Sequence, residues 1–316
     1  MNKKTTYLSL TGGLGNQLFQ LAAGIHAVDN EKLILIHKLA EPRKDGNALF
    51  ALNGLFLPEN VVVDSKKRYM KLTQKCIGYN LRKGVDPKNW EKKKIVSWLT
   101  TKITQAILFC EIRKVVKVLV CQGVGFSNLA IQKRDAILIG YFQTFKWVSD
   151  PRVKSVLEKL KPKIYSKNLD EYIALAKKEK PLFVHLRLSD YRHEDKFGIP
   201  NKQYYFNAIT KLMQNSNLNK IWLFTDDPME ALNFFPIEYR DITEIVPEID
   251  NSSALTFELL RYGAGYVIAN SSFSWWGAFL RYDKKAKVIA PYPWFSKMES
   301  PSYIIPKDWE SNQPWE

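Results

Sequence analysis

Charged side chains follow an apolar run in the stretch VHLRLSDYR, residues 184–192. Because the guanidinium of an arginine presents a fixed fork of donors, Arg187 suits bidentate binding of a phosphate group. His185 and Asp190 lie within three residues of it. The stretch therefore predicts an anion site at the end of a buried strand, with an Arg–Asp salt bridge inside the loop as the alternative.

Two more polar groups follow apolar runs further along the chain. A Ser-rich turn before a helix offers hydroxyls and backbone N–H groups to an anion, or its serines simply cap the helix. Paired aspartates suit a base edge with two adjacent N–H donors, as in guanine, or one of them caps a helix ahead of Pro228. The three groups are His185, Arg187 and Asp190; Thr225, Asp226 and Asp227; and Asn270, Ser271, Ser272 and Ser274.

A glycine loop, TGGLGNQ, occupies residues 11–17 near the N-terminus. It lacks the Gly-Lys-Ser/Thr of a Walker A loop and the glycine spacing of a dinucleotide fingerprint. Its glycines, which include Gly13 and Gly15, fit a tight strand-to-helix turn. A tight turn gives no role to the amides of Asn16 and Gln17, which can hydrogen-bond sugar hydroxyls or a leaving phosphate.

The elements that must position these groups alternate between strand and helix. A strand over 6–11, a helix over 17–28 and a strand over 32–37 open the chain as a βαβ unit. Further strands are predicted over 136–141, 182–186, 220–224, 242–246, 266–269 and 287–290, and helices over 151–161, 203–213, 229–235, 253–261 and 274–281. Regular alternation after Pro181 indicates an open α/β sheet, which binds ligands at the carboxyl ends of its strands.

Two α/β halves follow from this pattern, over residues 1–150 and 151–316, with a basic helical insertion over about 60–135. Residues 65–134 hold 17 Lys and Arg against 3 Asp and Glu, so they carry +14 of the chain's net charge of +15. Apolar positions there predict an amphipathic helix, at Ile95, Trp98, Leu99, Ile103 and Ile107. Such a segment suits nucleic acid, anionic lipid or a phosphorylated substrate, or it is a solvated surface.

The composition, with 46% hydrophobic residues among 316, is that of a globular chain with an ample core. No apolar run approaches the roughly 20 residues of a membrane-spanning helix, and the N-terminus does not match a signal peptide. The three cysteines lack metal-ligand spacing, which fits a reducing compartment. These features predict a cytoplasmic protein.

Four motifs, taken together and in order, resemble the bacterial α1,2-fucosyltransferases of glycosyltransferase family 11. They are GGLGNQLFQLAAG, VHLRLSDY, FTDD and IANSSFSWWGAFL, which span most of the chain. The resemblance implies an α/β fold of the GT-B type, with two Rossmann-like domains facing a central cleft. It implies that the first domain holds mainly the acceptor, that the second holds the nucleotide sugar, and that no metal or other cofactor is required.

The resemblance also assigns roles to residues of this chain. It implies that Arg187 grips the diphosphate of GDP-L-fucose with His185 near the nucleotide, and that Asp227, with Asp226, contacts guanine. Asn16 would face the donor from the first domain. The catalytic residues so predicted are Arg187, Asp190 and Asn16, with Asp190 as the nearest candidate base and Glu194 and Asp195 behind it. The predicted substrate-binding residues are His185, Asp226, Asp227, Ser271, Ser272, Ser274, Gly13, Gly15 and Gln17.

One departure from the family pattern concerns the second motif. Relatives usually carry His-x-Arg-Arg-Gly-Asp-Tyr, whereas Leu188 replaces the second Arg here and Ser189 the Gly. The loss of one guanidinium leaves another GDP-sugar open as the donor. Arg192 is the candidate that could compensate for it.

The implied activity is inverting transfer of L-fucose from GDP-β-L-fucose to the 2-hydroxyl of a terminal galactose, or a similar sugar, in a bacterial surface glycan such as O-antigen. A lipid diphosphate can carry such an acceptor, and a basic segment can hold the enzyme peripherally on the anionic inner face of the inner membrane. The cations proposed for this contact are Lys66, Lys67, Arg68, Lys92, Lys93 and Lys94. The competing class is a basic nucleic-acid-binding protein, which would leave the strand-end residues without a role; no nucleic-acid partner is therefore predicted.

Overall fold

The computed structural model describes residues 4–28, 31–37, 50–64, 70–85, 94–112, 116–121, 123–129 and 134–315. The chain divides into two compact units. The first comprises Met1–Leu160 with Pro301–Ile304, and the second Lys161–Ser300 with Ile305–Glu316. Each unit contains one parallel sheet, so the prediction of an α/β fold with two Rossmann-like domains is confirmed.

The sheet of the first unit has five parallel strands in the order β3-β2-β1-β5-β4. These strands are β1 Thr5–Ser9, β2 Lys32–Ile36, β3 Val61–Val63, β4 Lys117–Val120 and β5 Ala136–Ile139. The helices of this unit are α1 Leu14–Ala27, α2 Lys71–Val85, α3 Lys94–Ile112 and α4 Pro151–Glu158. The predicted βαβ opening is confirmed, and the first helix begins three residues earlier than predicted, so Asn16 lies in its first turn.

Helices cover the first sheet because of their apolar faces. Helix α1 buries Leu18, Leu21, Ala22 and Ile25, the spacing that predicted it. Gly24 lets α1 approach the sheet, since a Cβ there would meet the side chain of Leu33. Helices α2 and α3 are the predicted insertion, and they share one buried cluster with the sheet, formed by Tyr7, Ile36, Ile77, Leu81, Leu108, Val116, Ile137 and Ile139.

The sheet of the second unit has six parallel strands in the order β11-β10-β9-β6-β7-β8. They are β6 Leu182–Leu186, β7 Ile221–Thr225, β8 Thr243–Val246, β9 Gly265–Val267, β10 Lys287–Pro291 and β11 Glu310–Asn312. The helices are α5 Lys167–Glu179, α6 Lys202–Gln214, α7 Pro228–Phe234, α8 Ser253–Leu259 and α9 Ser272–Phe279. All five strands predicted after Pro181 are confirmed, with bounds that differ by two residues at most.

Three strands and one helix of the two units were not predicted from the sequence. Strands β3, β4 and β11 have three or four residues each, too short to show a period. Helix α5 had a usable signal, since Leu169, Ile173 and Ala176 are buried at helical spacing and the Ser166 hydroxyl caps its first turn. The strand order also locates the edge of each sheet at which a ligand is expected to bind.

Each sheet has a point at which its strand order reverses. In the first unit β2 and β3 lie on one side of β1, while β5 and β4 lie on the other. In the second unit β7 and β8 lie on one side of β6, while β9, β10 and β11 lie on the other. Ligands of open parallel sheets bind at such reversals, outside the carboxyl ends of the strands. The loops that follow β1, β5, β6 and β9 are therefore the ones to examine.

Candidate functional site

Strand β6 places two of the predicted residues at the reversal of the second sheet. His185 lies within β6 and is buried, and its Nδ1 has no hydrogen-bond partner among the described residues. Burial, followed by the charge of Arg187, lowers the pKa of His185 to about 4. The imidazole is therefore neutral at pH 7, and an uncharged buried ring fits the apolar end of this strand.

Arg187, the residue directly after β6, is held by two carboxylates. Its Nε lies 2.9 Å from Asp190 Oδ1 and 3.1 Å from Asp226 Oδ2. Burial lowers the pKa of the guanidinium, but these carboxylates outweigh it and the pKa lies above its usual value. Its two terminal nitrogens have no partner within the described part of the chain. The side chain is thus oriented through Nε, with a pair of donors left for an anion.

Asp226 holds the loop that carries Arg187. Its Oδ1 accepts a hydrogen bond of 2.8 Å from the backbone N–H of Leu188, and its Oδ2 one of 3.2 Å from that of Ser189. Burial raises the pKa of Asp226, but the Arg187 charge and these hydrogen bonds outweigh it, so the pKa lies below its usual value. Asp226 was predicted to contact guanine; in this structure both of its oxygens serve the loop.

Asp227 begins helix α7, as the capping alternative predicted. Its Oδ1 accepts a hydrogen bond of 3.3 Å from the Glu230 N–H, and its Oδ2 lies 3.0 Å from Arg192 Nη1. The Arg192 guanidinium also lies over the ring of Phe234, 5.4 Å from its centre. Arg192, the candidate to replace the missing second arginine, is therefore paired with Asp227 and not with Asp190 or Asp226.

The missing arginine has a packing explanation. Leu188 is completely buried in the core cluster beneath the sheet, where it joins Leu186 and Tyr205. A guanidinium at this position would have to leave water and would meet no carboxylate among the residues of that cluster, at a cost of several kcal/mol. The loop after β6 consequently presents the guanidinium of Arg187 to the site and turns the leucine side chain into the core.

The second loop of this site follows β9 and begins helix α9. The Tyr191 hydroxyl donates a hydrogen bond of 3.0 Å to the Asn270 carbonyl oxygen, so the loops after β6 and β9 are joined. Asn270 Nδ2 donates to the carbonyl oxygens of Phe197 and Gly198, while its buried Oδ1 has no partner among the described residues. The structure thus brings the three predicted groups together, since Asp226 contacts Arg187 and the loop after β9 is joined to the loop after β6.

The serines of this loop divide into two kinds. Helix α9 begins at Ser272, two residues earlier than predicted, because the Ser271 hydroxyl accepts a hydrogen bond from the Phe273 N–H. The buried Ser274 hydroxyl donates back to the Ser271 carbonyl oxygen at 3.2 Å. The half-buried Ser272 hydroxyl has no hydrogen-bond partner within the described part of the chain. Ser272, with the first free N–H groups of α9, is therefore the serine best placed for an anion.

Among the described residues, amide side chains occupy the reversal of the first sheet. Gln143 Nε2 donates a hydrogen bond of 2.8 Å to Asn16 Oδ1, which joins the loop after β5 to the first turn of α1. Asn16 Nδ2 has no partner among the described residues, and neither has the buried Gln143 Oε1. One donor and one acceptor are thus left unused, the combination that a sugar hydroxyl can satisfy.

The predicted glycine loop and its glutamine support this arrangement. Gln17 Nε2 donates to the Gly12 carbonyl oxygen at 2.8 Å, and its Oε1 accepts from the Leu52 N–H at 3.2 Å, so both ends of this buried amide hold the loop. Gly12 has φ +73°, and a Cβ there would clash with Asn16 Nδ2. Gly13 is exposed, and a Cβ there would meet nothing within 4 Å, whereas Gly15 is buried in α1.

Two residues of these sites were missed from the sequence. Gln143 follows β5 by four residues, and Tyr191 follows β6 by five. The signal for Gln143 was its place in YFQTF directly after an apolar strand, and the signal for Tyr191 was its place in the SDYR loop. Their partners Asn16 and Asn270 lie 127 and 79 residues away, which no local pattern reveals.

No group of three or more His, Cys, Asp and Glu in the described residues could hold a metal ion. Likewise, none of the described helices is long and apolar enough to cross a membrane. The independence from metal and other cofactors therefore stays a prediction, based on the guanidinium and helix N-terminus that could neutralise a diphosphate.

Comparisons with known proteins agree with these motifs. The model of glycosyl transferase family 11 matches residues 138–311. The α1,2-colitosyltransferase of Escherichia coli is 25% identical over 315 residues, which cover 95% of this chain and 96% of that protein. The O-antigen biosynthesis glycosyltransferase WbnK of Escherichia coli is 32% identical over 130 residues, 38% of this chain and 43% of that protein.

A solved structure supports the fold. The fucosyltransferase NodZ from Bradyrhizobium matches with a TM-score of 0.50 and 14% identity, over 89% of this chain and 94% of that chain. At that identity the likeness concerns the fold alone. It agrees with the two parallel-sheet units, and the predicted GT-B type is confirmed.

Proposed function

The chain belongs to glycosyl transferase family 11, and we propose that it transfers L-fucose from GDP-β-L-fucose to the 2-hydroxyl of a terminal galactose, or a similar sugar, in a bacterial surface glycan such as O-antigen. The observation that carries this proposal is the state of Arg187. Two carboxylates fix its Nε, and its terminal nitrogens are left without a partner in the described structure. A guanidinium that is held in place at a sheet reversal, with its terminal N–H donors still available, suits a diphosphate leaving group.

The proposed reaction is a single displacement at the anomeric carbon. The acceptor oxygen forms its bond to C1 of the sugar while the C1–O bond to GDP breaks, and the diphosphate takes the negative charge. Arg187, the Ser272 hydroxyl and the N-terminus of α9 would stabilise that charge, and removal of one such donor typically costs about 3 kcal/mol of barrier. His185, neutral at pH 7, would line the site without competing for the anion.

Asp190 is the proposed base for the proton of the acceptor hydroxyl. Its side chain is partly exposed and its Oδ1 contacts Arg187 Nε, so it can orient the guanidinium as well. The other candidates are less well connected, since Glu194 and Asp195 are exposed and Asp195 contacts Lys297 only at 3.5 Å. A base in contact with the phosphate-binding arginine would be close to the reacting centre.

A second candidate donor deserves a test because of Leu188 and one relative. The relative of 25% identity over nearly the whole chain is named a colitosyltransferase. Leu188 removes one guanidinium that the fucosyltransferase pattern usually carries, and Arg192 pairs with Asp227 instead of replacing it. Another GDP-sugar, such as one carrying colitose, is therefore the alternative donor.

Peripheral attachment to an anionic membrane is part of the proposal, since a lipid diphosphate can carry the acceptor. Five of the six cations predicted to make this contact, at 66–68 and 92–93, lie outside the described residues, and the Lys94 side chain is not described either. The enzyme would then act at the inner face of the bacterial inner membrane. The sequence charge supports this localisation.

A panel of nucleotide sugars tests the donor. Binding and transfer would be measured with GDP-fucose, GDP-colitose, GDP-mannose and UDP-galactose in the presence of EDTA. Selective use of GDP-fucose is expected, and selective use of GDP-colitose would establish the second candidate. Binding of none of them, or a requirement for divalent metal, would contradict the proposal.

A further inference from the structure

Helix α3 of the first unit turns an apolar stripe outward. Trp98, Leu99, Ile103 and Phe109 are exposed, the first of them to 60% and the last to 49%. From Leu99 to Phe109, steps of four, three and three residues through Ile103 and Ala106 keep these side chains on one face. This stripe is about 18 Å long at the rise of a helix. Large apolar side chains, with the exposed Lys102 over the Trp98 ring, cover one side of α3 that the described residues leave in contact with solvent.

The inward side of the same helix is partly polar. The Thr104 hydroxyl is buried and accepts a hydrogen bond of 3.0 Å from Asn80 Nδ2 of α2. Leu108 completes the inward side one turn later. An ordinary surface helix buries its apolar stripe and exposes its polar one. Helix α3 exposes the larger apolar side chains, which the packing of this unit does not explain.

Helix α2 extends the exposed surface. Leu72 and Tyr79 are exposed at helical spacing, with exposed Lys75 between them. A groove of about 480 Å³ opens between the two packed helices, and its lining includes Tyr79 of α2 and Ile103 of α3. The two stripes are therefore continuous across this groove. We call the surface made by Leu72, Tyr79, Trp98, Leu99, Ile103 and Phe109 the insertion face.

The charge around the insertion face selects its partner. Helix α2 contains four Lys or Arg and no Asp or Glu, and α3 contains Lys94 and Lys102 against Glu111. A second copy of the chain docked here would bring two strongly basic surfaces together, which electrostatic repulsion opposes. A nucleic acid would satisfy the charge but leave Leu99, Ile103 and Phe109 without an apolar partner. An anionic lipid bilayer satisfies both, because its headgroups attract lysines and its acyl boundary accepts apolar side chains.

We propose that the insertion face enters the acyl boundary of an anionic bilayer, with α2 and α3 lying in its surface. This inference rests on the proposed peripheral attachment and extends it. The proposed contact through charge is joined by insertion of apolar side chains into the bilayer. Basic residues would supply attraction at a distance, and Trp98, Ile103 and Phe109 would supply the part of the affinity that salt does not remove.

The first experiment compares two exposed isoleucines. Ile103→Ser removes apolar surface from the insertion face, and Ile237→Ser removes it from the second unit, where Ile237 is also exposed. Each full-length variant is sedimented with vesicles of phosphatidylcholine, with and without one third phosphatidylglycerol. Wild type and Ile237→Ser should bind the anionic vesicles equally. Ile103→Ser should bind roughly tenfold more weakly, and Trp98→Ser by at least as much.

A second measurement reports insertion directly. Cys110 is exposed at the end of α3, whereas Cys76 is half-buried and Cys121 is buried. In a Cys76→Ser background, a polarity-sensitive fluorophore on Cys110 should shift to shorter wavelength with anionic vesicles at low salt. In 0.5 M salt the fraction bound should fall, but the wavelength of the bound fraction should not change. Binding without any shift would show a purely electrostatic contact and overturn the inference.

Other outcomes identify other occupants. If Ile103→Ser and Ile237→Ser bind vesicles alike, the insertion face is not the contact. If wild type forms a dimer that Ile103→Ser dissociates, the occupant is a second copy; if RNA binds and competes with vesicles, it is a nucleic acid. Titration of GDP-fucose into the same variants without lipid keeps the two proposals apart. If wild type does not bind GDP-fucose, the proposed donor is wrong. Vesicle binding would still show whether the insertion face contacts the membrane.

Discussion

The two sheets reverse their strand order in the same way but fill the reversal with different chemistry. The second sheet has the buried imidazole of His185 within β6, Arg187 and Asp190 after β6, and Asp226 after β7. In the first sheet, amides and glycines lie after β1 and β5. A doubly charged diphosphate needs fixed cationic donors, while a hydroxyl group needs one donor and one acceptor. The contrast suggests that the second unit holds the leaving group and that the first holds a neutral sugar.

The largest effect should come from the charged site. Arg187→Ala should lower kcat by roughly 10²–10³-fold, because the charge that develops on the diphosphate loses its principal donor. Arg187→Lys should recover less than a tenth of wild-type activity, since an ammonium lacks the fork. Transfer rates at saturating donor would measure both.

Arg192→Ala is the matched control for that prediction. Its terminal nitrogen already pairs with Asp227, so the loss in kcat should stay below about tenfold. Arg187→Ala with more than a tenth of wild-type turnover would mean that Arg187 does not bind the leaving group.

Adjacent glycines offer the next test, in the neutral site. Gly12→Ala should lower transfer by more than about tenfold and destabilise the fold by about 1–2 kcal/mol, because φ is +73° and the new Cβ displaces the Asn16 amide. Gly13→Ala meets no atom of the chain. It should leave the free energy of unfolding unchanged and lower transfer only by filling space that a substrate uses. Equal stability losses in the two variants would contradict this geometry.

Gln143→Leu separates positioning from structural support. The variant frees Asn16 from its 2.8 Å hydrogen bond, so kcat/KM for the acceptor should fall about tenfold while affinity for GDP stays unchanged. It also removes a buried oxygen that has no partner in the described structure. The free energy of unfolding should therefore stay equal or rise by about 1 kcal/mol. A less stable protein with unaltered transfer would show that Gln143 is structural.

The last prediction concerns how stability depends on pH through the buried imidazole of the charged site. The pKa of His185 is about 4 in the folded chain, against roughly 6.5 when unfolded. The unfolded chain thus binds a proton that the folded chain does not, and His185 lowers the free energy of unfolding by about 1.4 kcal/mol per pH unit from 6.5 down towards 4. His185→Gln should flatten this slope in denaturant titrations.

The sequence predicted most of the fold because its signals are local. Strand β6 was predicted at its exact bounds from a run of apolar residues, and the family was identified from four motifs and is confirmed. Strand β11, with the sequence ESN, has no apolar residue that could announce it. Its place in the sheet depends on pairing with β10, which is not local information.

The sequence predicted which residues form the site but not which of them contact each other. Residue types at strand ends pointed to Arg187, Asp226 and Asn16. Only the fold shows that Asp226 holds the loop of Arg187, because the two meet through neighbouring strands 39 residues apart. The alternation of side chains continues beyond β6 and turns the Leu188 side chain into the core. Leu188 therefore contributes to the site through its backbone N–H, which donates to Asp226.

The most direct test of the contrast between the two sites is titration of GDP, which carries no sugar, into wild type, Arg187→Ala and Asn16→Ala in the presence of EDTA. Arg187→Ala should bind GDP at least about a hundredfold more weakly, as expected for loss of a charge-assisted pair. Asn16→Ala should bind GDP within about twofold of wild type and still lose transfer activity. Equal loss of GDP affinity in both variants would show that the amides also hold the nucleotide, and the assignment of separate tasks to the two sites would be wrong.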